Sequence, residues 1–177
     1  MLMSDDYFPN IINFVTSLSS VLSLELCLNT DQMIMYCSTI KFSRLTKCKI
    51  LPCDSDWMDS LVPLLQNTPK LKFLTVDYRS THQPPIASAL WSTMSHHYYP
   101  ECLYSSLEKF ELIDYTGKEE EKELVEYILI TAMCLNTVTI SLRHGLPTQD
   151  TETMMDKLEA MSKLSITSQL LFKSSKP

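Results

Sequence analysis

The chain has 177 residues, 45% of them hydrophobic and 20% charged, which is enough apolar side chain for one domain of ordinary size with a packed core. Its formal net charge of −6 lies between Glu101 and Glu126, where nine acidic residues outnumber three basic ones. An acidic chain without a basic block is poorly suited to phosphate backbones or anionic membranes, and two glycines are too few for a glycine-rich nucleotide loop. We therefore expect neither a nucleic acid nor a membrane as partner.

An apolar hexapeptide pattern recurs six times along the chain. Each copy has apolar residues at its first, fourth and sixth positions, and successive copies begin 24, 26, 36, 28 and 26 residues apart. Four of these intervals fall in the roughly 20–29 residue range of leucine-rich repeats. Because side chains alternate along a strand, each copy predicts a short strand whose last two apolar residues face a shared core. The copies are Val21-Leu24-Leu26, Leu45-Cys48-Ile50, Leu71-Leu74-Val76, Leu107-Phe110-Leu112, Leu135-Val138-Ile140 and Met161-Leu164-Ile166.

Helix signals fill the intervals between these predicted strands. Asp59 or Ser60 can cap a short helix that has Pro63 in its first turn. The capping-box spacing of Thr116-Gly117-Lys118-Glu119 begins a second helix, and a third runs from about Thr151. This alternation predicts an α/β fold, an irregular leucine-rich-repeat-like solenoid in which short parallel strands alternate with helices. The residues expected to face the sheet are Leu61, Leu64, Leu65, Leu124, Val125, Ile128, Leu129, Ala132, Met154, Leu158 and Met161.

Residues 80–98, in the longest interval, differ in character from the rest. They include Pro84 and Pro85, lack helical periodicity and are rich in aromatic residues near their end. We interpret them as a linker or an inserted loop. They divide the chain into a repeat-like segment at residues 1–79 and a second segment at residues 99–177.

Four runs in the second segment form one pattern: Tyr99-Pro100-Glu101-Cys102-Leu103, Ser105-Ser106-Leu107 with Phe110, GKEEEKELVEYIL over residues 117–129, and Cys134-Leu135-Asn136-Thr137-Val138-Thr139-Ile140. These runs resemble the FBD domain, which stands at the C-terminus of many plant F-box proteins. Trp91 also lies where that family shows a tryptophan before its Pro-Glu-Cys-Leu signature. The resemblance implies that residues 99–177 are an FBD domain.

The first segment is similar to the leucine-rich repeats that precede the FBD domain in those proteins. The similarity lies in residues 19–28, 42–45 and 56–72. The family implies a substrate receptor of a ubiquitin ligase, in which an F-box binds a Skp-type adaptor and the repeats with the FBD region hold a target protein. Because Met1 to Phe14 is too short for an F-box, we expect a non-enzymatic protein-interaction module that does not recruit the adaptor itself.

Outward-facing strand residues are the candidate contacts with an unknown protein target. In the repeat frame they are Ser23, Glu25, Lys47, Lys49, Thr75, Asp77, Glu108, Glu111, Thr137 and Thr139. Mixed charge at these positions favours a protein surface as the partner. Trp91 is a further candidate, since Trp often anchors interfaces. The predicted partner-binding set is Glu25, Lys49, Thr75, Asp77, Trp91, Glu111 and Thr139, and no catalytic, cofactor or metal residue is predicted.

Two alternative functions stay open at this point. Cys48, Cys53, His96, His97 and Cys102 contain soft ligands suited to zinc, although their spacing is loose. Cys102 with His96 or His97 would also suit a thiol enzyme if the geometry lowered the pKa of the thiol. The other alternative is a degenerate gene product without a selected function.

The acidic residues between Glu101 and Glu126 admit two interpretations. They could dock a basic partner, or they could be the solvated face of a helix whose first turn, Glu119 to Glu121, favours the positive end of the helix dipole. We favour the second interpretation, with Lys122 paired to Glu126 four residues on.

The six cysteines are expected to be reduced thiols, mostly structural, in a cytoplasmic or nuclear protein. Three observations favour this. No Asn-x-Ser/Thr sequence is present, the first ten residues carry Asp5 and Asp6 and no basic residue, and Cys27 and Cys48 fall in predicted strands. The most apolar stretch, Ile11 to Leu28, is interrupted by serines and Glu25, so we expect no membrane span.

Overall fold

A computed structural model describes residues 17–28, 39–53, 57–80 and 99–174. The strands are β1 Ser23–Leu28, β2 Lys47–Pro52, β3 Phe73–Asp77, β4 Lys109–Tyr115, β5 Thr137–Leu142 and β6 Gln169–Ser174. The helices are α1 Trp57–Gln66, α2 Glu101–Ser105, α3 Glu119–Thr131 and α4 Thr148–Ser162, with a 3-10 turn at Tyr78–Ser80.

The six strands form one parallel sheet in which each strand pairs with the next in sequence. The α/β prediction of short parallel strands alternating with helices is therefore confirmed. The inward residues of five predicted strands also lie in register, and Leu170 of β6 completes their row. That row is Leu24, Cys48, Leu74, Phe110, Val138 and Leu170.

The sixth predicted strand is wrong. Met161 belongs to α4, while Leu164 and Ile166 are exposed and precede β6. Because Met161 continues the helical spacing of Met154 and Leu158, it lies in the helix and the strand begins after it. The strand starts at Gln169.

In the described part of the chain, the core is one cluster of buried side chains between the sheet and its helices. In the helices it contains the predicted apolar residues, with Met154 and Met161 packed against it from α4. Burial of each large apolar side chain contributes about 1.5–3 kcal/mol, and this burial holds α1 and α3 to the sheet. The predicted start of α1 is wrong, because Trp57 and Met58 are buried and extend the apolar seam one turn ahead of Ser60.

The start of α3 differs from the predicted capping box by two residues. Gly117 has a φ of +79°, which turns the chain after β4, and α3 then begins at Glu119. The carboxylate that reaches back is that of Glu121, which accepts from the backbone N–H groups of Lys118 (3.1 Å) and Thr116 (2.8 Å). The Thr116 hydroxyl also lies 2.9 Å from this carboxylate. Thr116 therefore takes part in the cap, with Glu121 as its partner in place of Glu119.

The sheet continues across the predicted linker. β3 ends before residues 80–98 and β4 begins after them, yet the two strands pair directly from Phe73 with Lys109 to Asp77 with Ile113. Residues 81–98 lie outside the described residues. The two segments therefore share one sheet and one core.

Cys27 and Cys53 form a disulfide with their Cα atoms 5.9 Å apart. The expectation of reduced thiols is wrong for this pair, whereas Cys48, Cys102 and Cys134 are not in disulfides. Cys27 is level with Leu51 in the parallel pairing, and Cys53 lies only two residues further along the chain, directly after the end of β2. The bond therefore links the end of β1 to its neighbour. None of the helices described is long and apolar enough to cross a bilayer.

Candidate interaction site on the open face of the sheet

We call the side of the sheet that faces away from the helices the open face. Its side chains form rows across the strands, because parallel strands in register place equivalent positions side by side. The first row is Ser23, Lys47, Phe73, Lys109, Thr137 and Gln169. The second row is Glu25, Lys49, Thr75, Glu111, Thr139 and Leu171. The third row, over the last four strands, is Asp77, Ile113, Ser141 and Lys173.

The structure brings most of the predicted contact residues together. Glu25, Lys49, Thr75, Glu111 and Thr139 are consecutive members of the second row. Asp77, the remaining predicted contact residue on β3, lies in the third row. Trp91 is outside the described residues. Their role in binding stays a prediction.

Asp77 is the most buried charged group on the open face, with 1% of its side chain exposed. The Arg79 guanidinium donates two hydrogen bonds of 3.1 Å to its carboxylate, and the Lys49 ammonium lies 3.3 Å away. Burial alone would raise the pKa of Asp77, but these cations and the Arg79 backbone N–H hold it below its usual value. Lys49 also contacts Glu25 at 3.3 Å, so one lysine links the second and third rows.

An ion pair covers β5 on this face. The Lys173 ammonium of β6 reaches the Glu111 carboxylate of β4 at 3.1 Å, across the intervening strand. Beneath it, Thr139 is 8% and Ser141 7% exposed. Thr139 is therefore less accessible to a partner than its outward position suggested.

The most accessible part of the open face is the first row, of which sequence reasoning selected Ser23, Lys47 and Thr137 and missed Phe73, Lys109 and Gln169. The ammonium groups of Lys47 and Lys109 lie 5.5 and 5.6 Å from the centre of the Phe73 ring, within range of a cation–π contact. The alternation of side chains along each predicted strand could have identified the missed residues. In each strand the residue just before the inward pair also faces outward, and in β3 and β4 this residue is Phe73 and Lys109. The predicted Glu108 instead precedes β4 and pairs with Lys72 at 2.7 Å.

The zinc and thiol alternatives gain no support from the described residues. Cys53 is in the disulfide, and His96 and His97 lie outside the described residues. Cys102 is buried, its thiol lies 3.3 Å from the Leu65 carbonyl, and burial raises its pKa to about 11. It is therefore a neutral thiol at physiological pH. Across the described segments, no three His, Cys, Asp or Glu side chains converge as metal ligands would.

The acidic helix is less solvated than expected. Glu120 and Glu121 are buried, so the predicted solvated face is wrong for both. The Glu120 carboxylate accepts from the Tyr78 hydroxyl at 3.2 Å and the Trp57 indole N–H at 3.5 Å, while burial raises its pKa. Lys122 pairs with Glu119 at 2.9 Å, which lies two helical turns before the predicted partner Glu126. Because Glu120 and Glu121 are buried, α3 presents a smaller acidic surface than the sequence suggested.

Comparison with known proteins identifies the wider family. Residues 96–140 match the FBD family. An FBD-associated F-box protein of Arabidopsis thaliana is 43% identical over 97% of this chain and 39% of its own length. Two F-box/FBD/LRR-repeat proteins of the same plant are 40% and 34% identical over 92% and 96% of this chain, and over 33% and 42% of their own lengths. The chain thus spans less than half the length of these relatives. Along nearly its whole length it is a relative of the FBD-associated F-box and leucine-rich-repeat proteins, and it contains their FBD domain.

Proposed function

We propose that this chain is a non-enzymatic protein-interaction module, comparable to the substrate-binding part of an F-box ubiquitin-ligase receptor, and that it holds a protein target on the open face. The observation that carries the proposal is the second row, where five predicted contact residues stand side by side on the sheet face opposite the described helices. The relatives, named for the F-box, the FBD domain and leucine-rich repeats, support the same role.

We also propose that the strand–helix units form a leucine-rich-repeat-like solenoid. The sequential parallel order supports this, because each unit adds one strand beside the last. In this proposal residues 1–79 are the repeat segment, residues 80–98 the linker or inserted loop, and residues 99–177 the FBD domain. The family match at residues 96–140 overlaps the last of these.

We propose further that the 177 residues alone do not bind a Skp-type adaptor, and that the module acts in the cytoplasm or nucleus. Size-exclusion chromatography of the chain mixed with a recombinant plant Skp-type adaptor should show two separate peaks. Co-elution as a complex would contradict this part of the proposal.

Photo-crosslinking tests the target-binding role. A benzoylphenylalanine placed at Thr75, in the middle of the second row, should capture a defined plant protein that mass spectrometry can identify. The same group at Glu126, exposed on α3 on the helix side, is the matched control and should not capture it. Capture from Glu126 alone would show that the open face is not the binding site.

A further inference from the structure

Lys47, Phe73 and Lys109, which we call the lysine clamp, place one aromatic ring between two cations. They lie on β2, β3 and β4 in one register row, with both ammonium groups within 5.6 Å of the ring centre. Both lysines are exposed and Phe73 is half-buried. No ion pair among the described residues engages either lysine. The clamp therefore presents two cations and an apolar surface to solvent.

The rest of the open face differs from the clamp because its charges are matched. Glu25 pairs with Lys49, Asp77 with Arg79, and Glu111 with Lys173. The first row contains two lysines and no acidic residue, on a chain whose net charge is −6. The clamp is thus a local positive site, and charge complementarity selects an anionic ligand.

We propose that the lysine clamp binds an acidic peptide segment of the target, with one apolar side chain held between two carboxylates. This rests on the proposed function, since it specifies which part of the open face the target contacts and with what chemistry. The clamp crosses three strands spaced about 4.8 Å apart. Its lysines are therefore far enough apart at the backbone to engage separate carboxylates, while the Phe73 ring packs against the apolar side chain between them.

A nucleic acid fits this site less well than an acidic peptide. Binding to a phosphate backbone gains affinity from many basic contacts, each of which releases counterions. Here two lysines are available, and Glu25 and Glu111 stand in the adjacent row. The apolar ring between the cations also matches a peptide side chain.

Fluorescence anisotropy on the full 177-residue chain tests the proposal. The probe is a fluorescein-labelled peptide with the sequence Gly-Ser-Asp-Glu-Phe-Glu-Asp-Ser-Gly, and its neutral counterpart has Asn and Gln in place of the acids. The acidic peptide should bind at least tenfold more tightly. Lys47→Gln and Lys109→Gln should each weaken binding about threefold, and the double variant about tenfold, as expected for exposed ion pairs.

Matched variants separate the site from general charge and folding effects. Lys157→Gln removes an exposed lysine from α4 on the helix side and should leave binding unchanged. Phe73→Leu keeps an apolar residue but loses the ring, so it should weaken binding while the thermal midpoint stays near that of the wild type. Undiminished binding by a folded Lys47→Gln/Lys109→Gln chain would overturn the proposal, as would tighter binding of a single-stranded oligonucleotide of equal charge.

The two proposals fail separately. If Thr75 crosslinks a target that the double lysine variant still holds with wild-type affinity, the acidic-peptide site is wrong and the interaction role stands. If the peptide requires both lysines but nothing crosslinks from the open face, the interaction role is wrong and the acidic-peptide site stands.

Discussion

The two faces of the sheet use similar residues to different ends. On the helix side, Phe110 is 1% exposed in a row that is apolar from β1 to β6. On the open face, Phe73 of the neighbouring strand is half-buried between Lys47 and Lys109. The first ring is packed by neighbours that exclude water, whereas the second has cations beside it and solvent above it. Packing against helices thus concentrates stability on one side and leaves the other side available for recognition.

Truncating these two phenylalanines measures how much stability each face contributes. Phe110→Ala removes a fully buried ring and leaves a cavity, so we expect a loss of about 3–5 kcal/mol in the free energy of unfolding. Phe73→Ala removes a half-buried ring, and we expect a loss below about 1.5 kcal/mol. Urea denaturation followed by circular dichroism measures both. Equal losses would show that the open face is packed as tightly as the helix side.

The chain's two glycines offer a second matched pair, since both have positive φ. An added Cβ at Gly117 would lie 2.9 Å from Met154 Cε on the helix side, whereas one at Gly145 would meet nothing within 4 Å. Left-handed backbone costs an alanine about 1–2 kcal/mol at either site. We therefore expect Gly117→Ala to lose about 1 kcal/mol more than Gly145→Ala, because Met154 must also move. Thermal denaturation of the two variants should rank them in this order, and the reverse rank would contradict the crowding at Gly117.

Buried carboxyls on opposite sides of the sheet should respond oppositely to pH. The pKa of Asp77 is lowered, so its ionised form stabilises the fold above the unfolded-state pKa of about 3.9, and this contribution is lost as pH falls through the folded-state pKa. The pKa of Glu120 is raised, so its contribution is present below the unfolded-state pKa of about 4.3 and is lost as pH rises through the folded-state pKa.

Conservative amide variants measure that difference. Between pH 3 and pH 7, Asp77→Asn should become less stable relative to the wild type, because it lacks the charge that Arg79 and Lys49 engage. Glu120→Gln should become more stable relative to the wild type over the same range, because it keeps an acceptor for Tyr78 and loses a buried charge. Thermal midpoints at several pH values provide the data, and parallel shifts in the two variants would contradict the opposed pKa directions.

The helix side was more predictable from sequence than the open face, for a physical reason. Burial requires apolar side chains, so the apolar spacing of the sequence is sufficient to predict that Leu24, Cys48 and Leu74 lie in one row. The prediction of the sixth strand was wrong because Met161 fits both the strand spacing and the helical spacing, and it lies in α4. The Cys27–Cys53 disulfide was not predicted because it depends on a contact between residues 26 positions apart in the sequence, which local spacing does not reveal.

The open face was predictable only in outline. Its row of outward residues follows from alternation, yet which charges meet depends on side chains that cross strands, as Lys173 does to reach Glu111. The burial of Glu120 was also missed, because Trp57 and Tyr78, which contact its carboxylate, are distant in the sequence. A run of charged residues in the sequence therefore does not show which of its side chains are buried.

The smallest expected effect concerns the pair that covers β5. Lys173→Gln breaks the exposed contact with Glu111, and such pairs contribute about 0.2–1 kcal/mol, since solvent screens them and ordering the lysine opposes the attraction. Urea denaturation at 0.05 M salt should resolve a loss against the Lys157→Gln control, and about 1 M salt should abolish most of it. A loss that persisted at high salt would mean that the lysine stem stabilises the fold by packing over Thr139 and Ser141, which would make this corner of the open face part of the core.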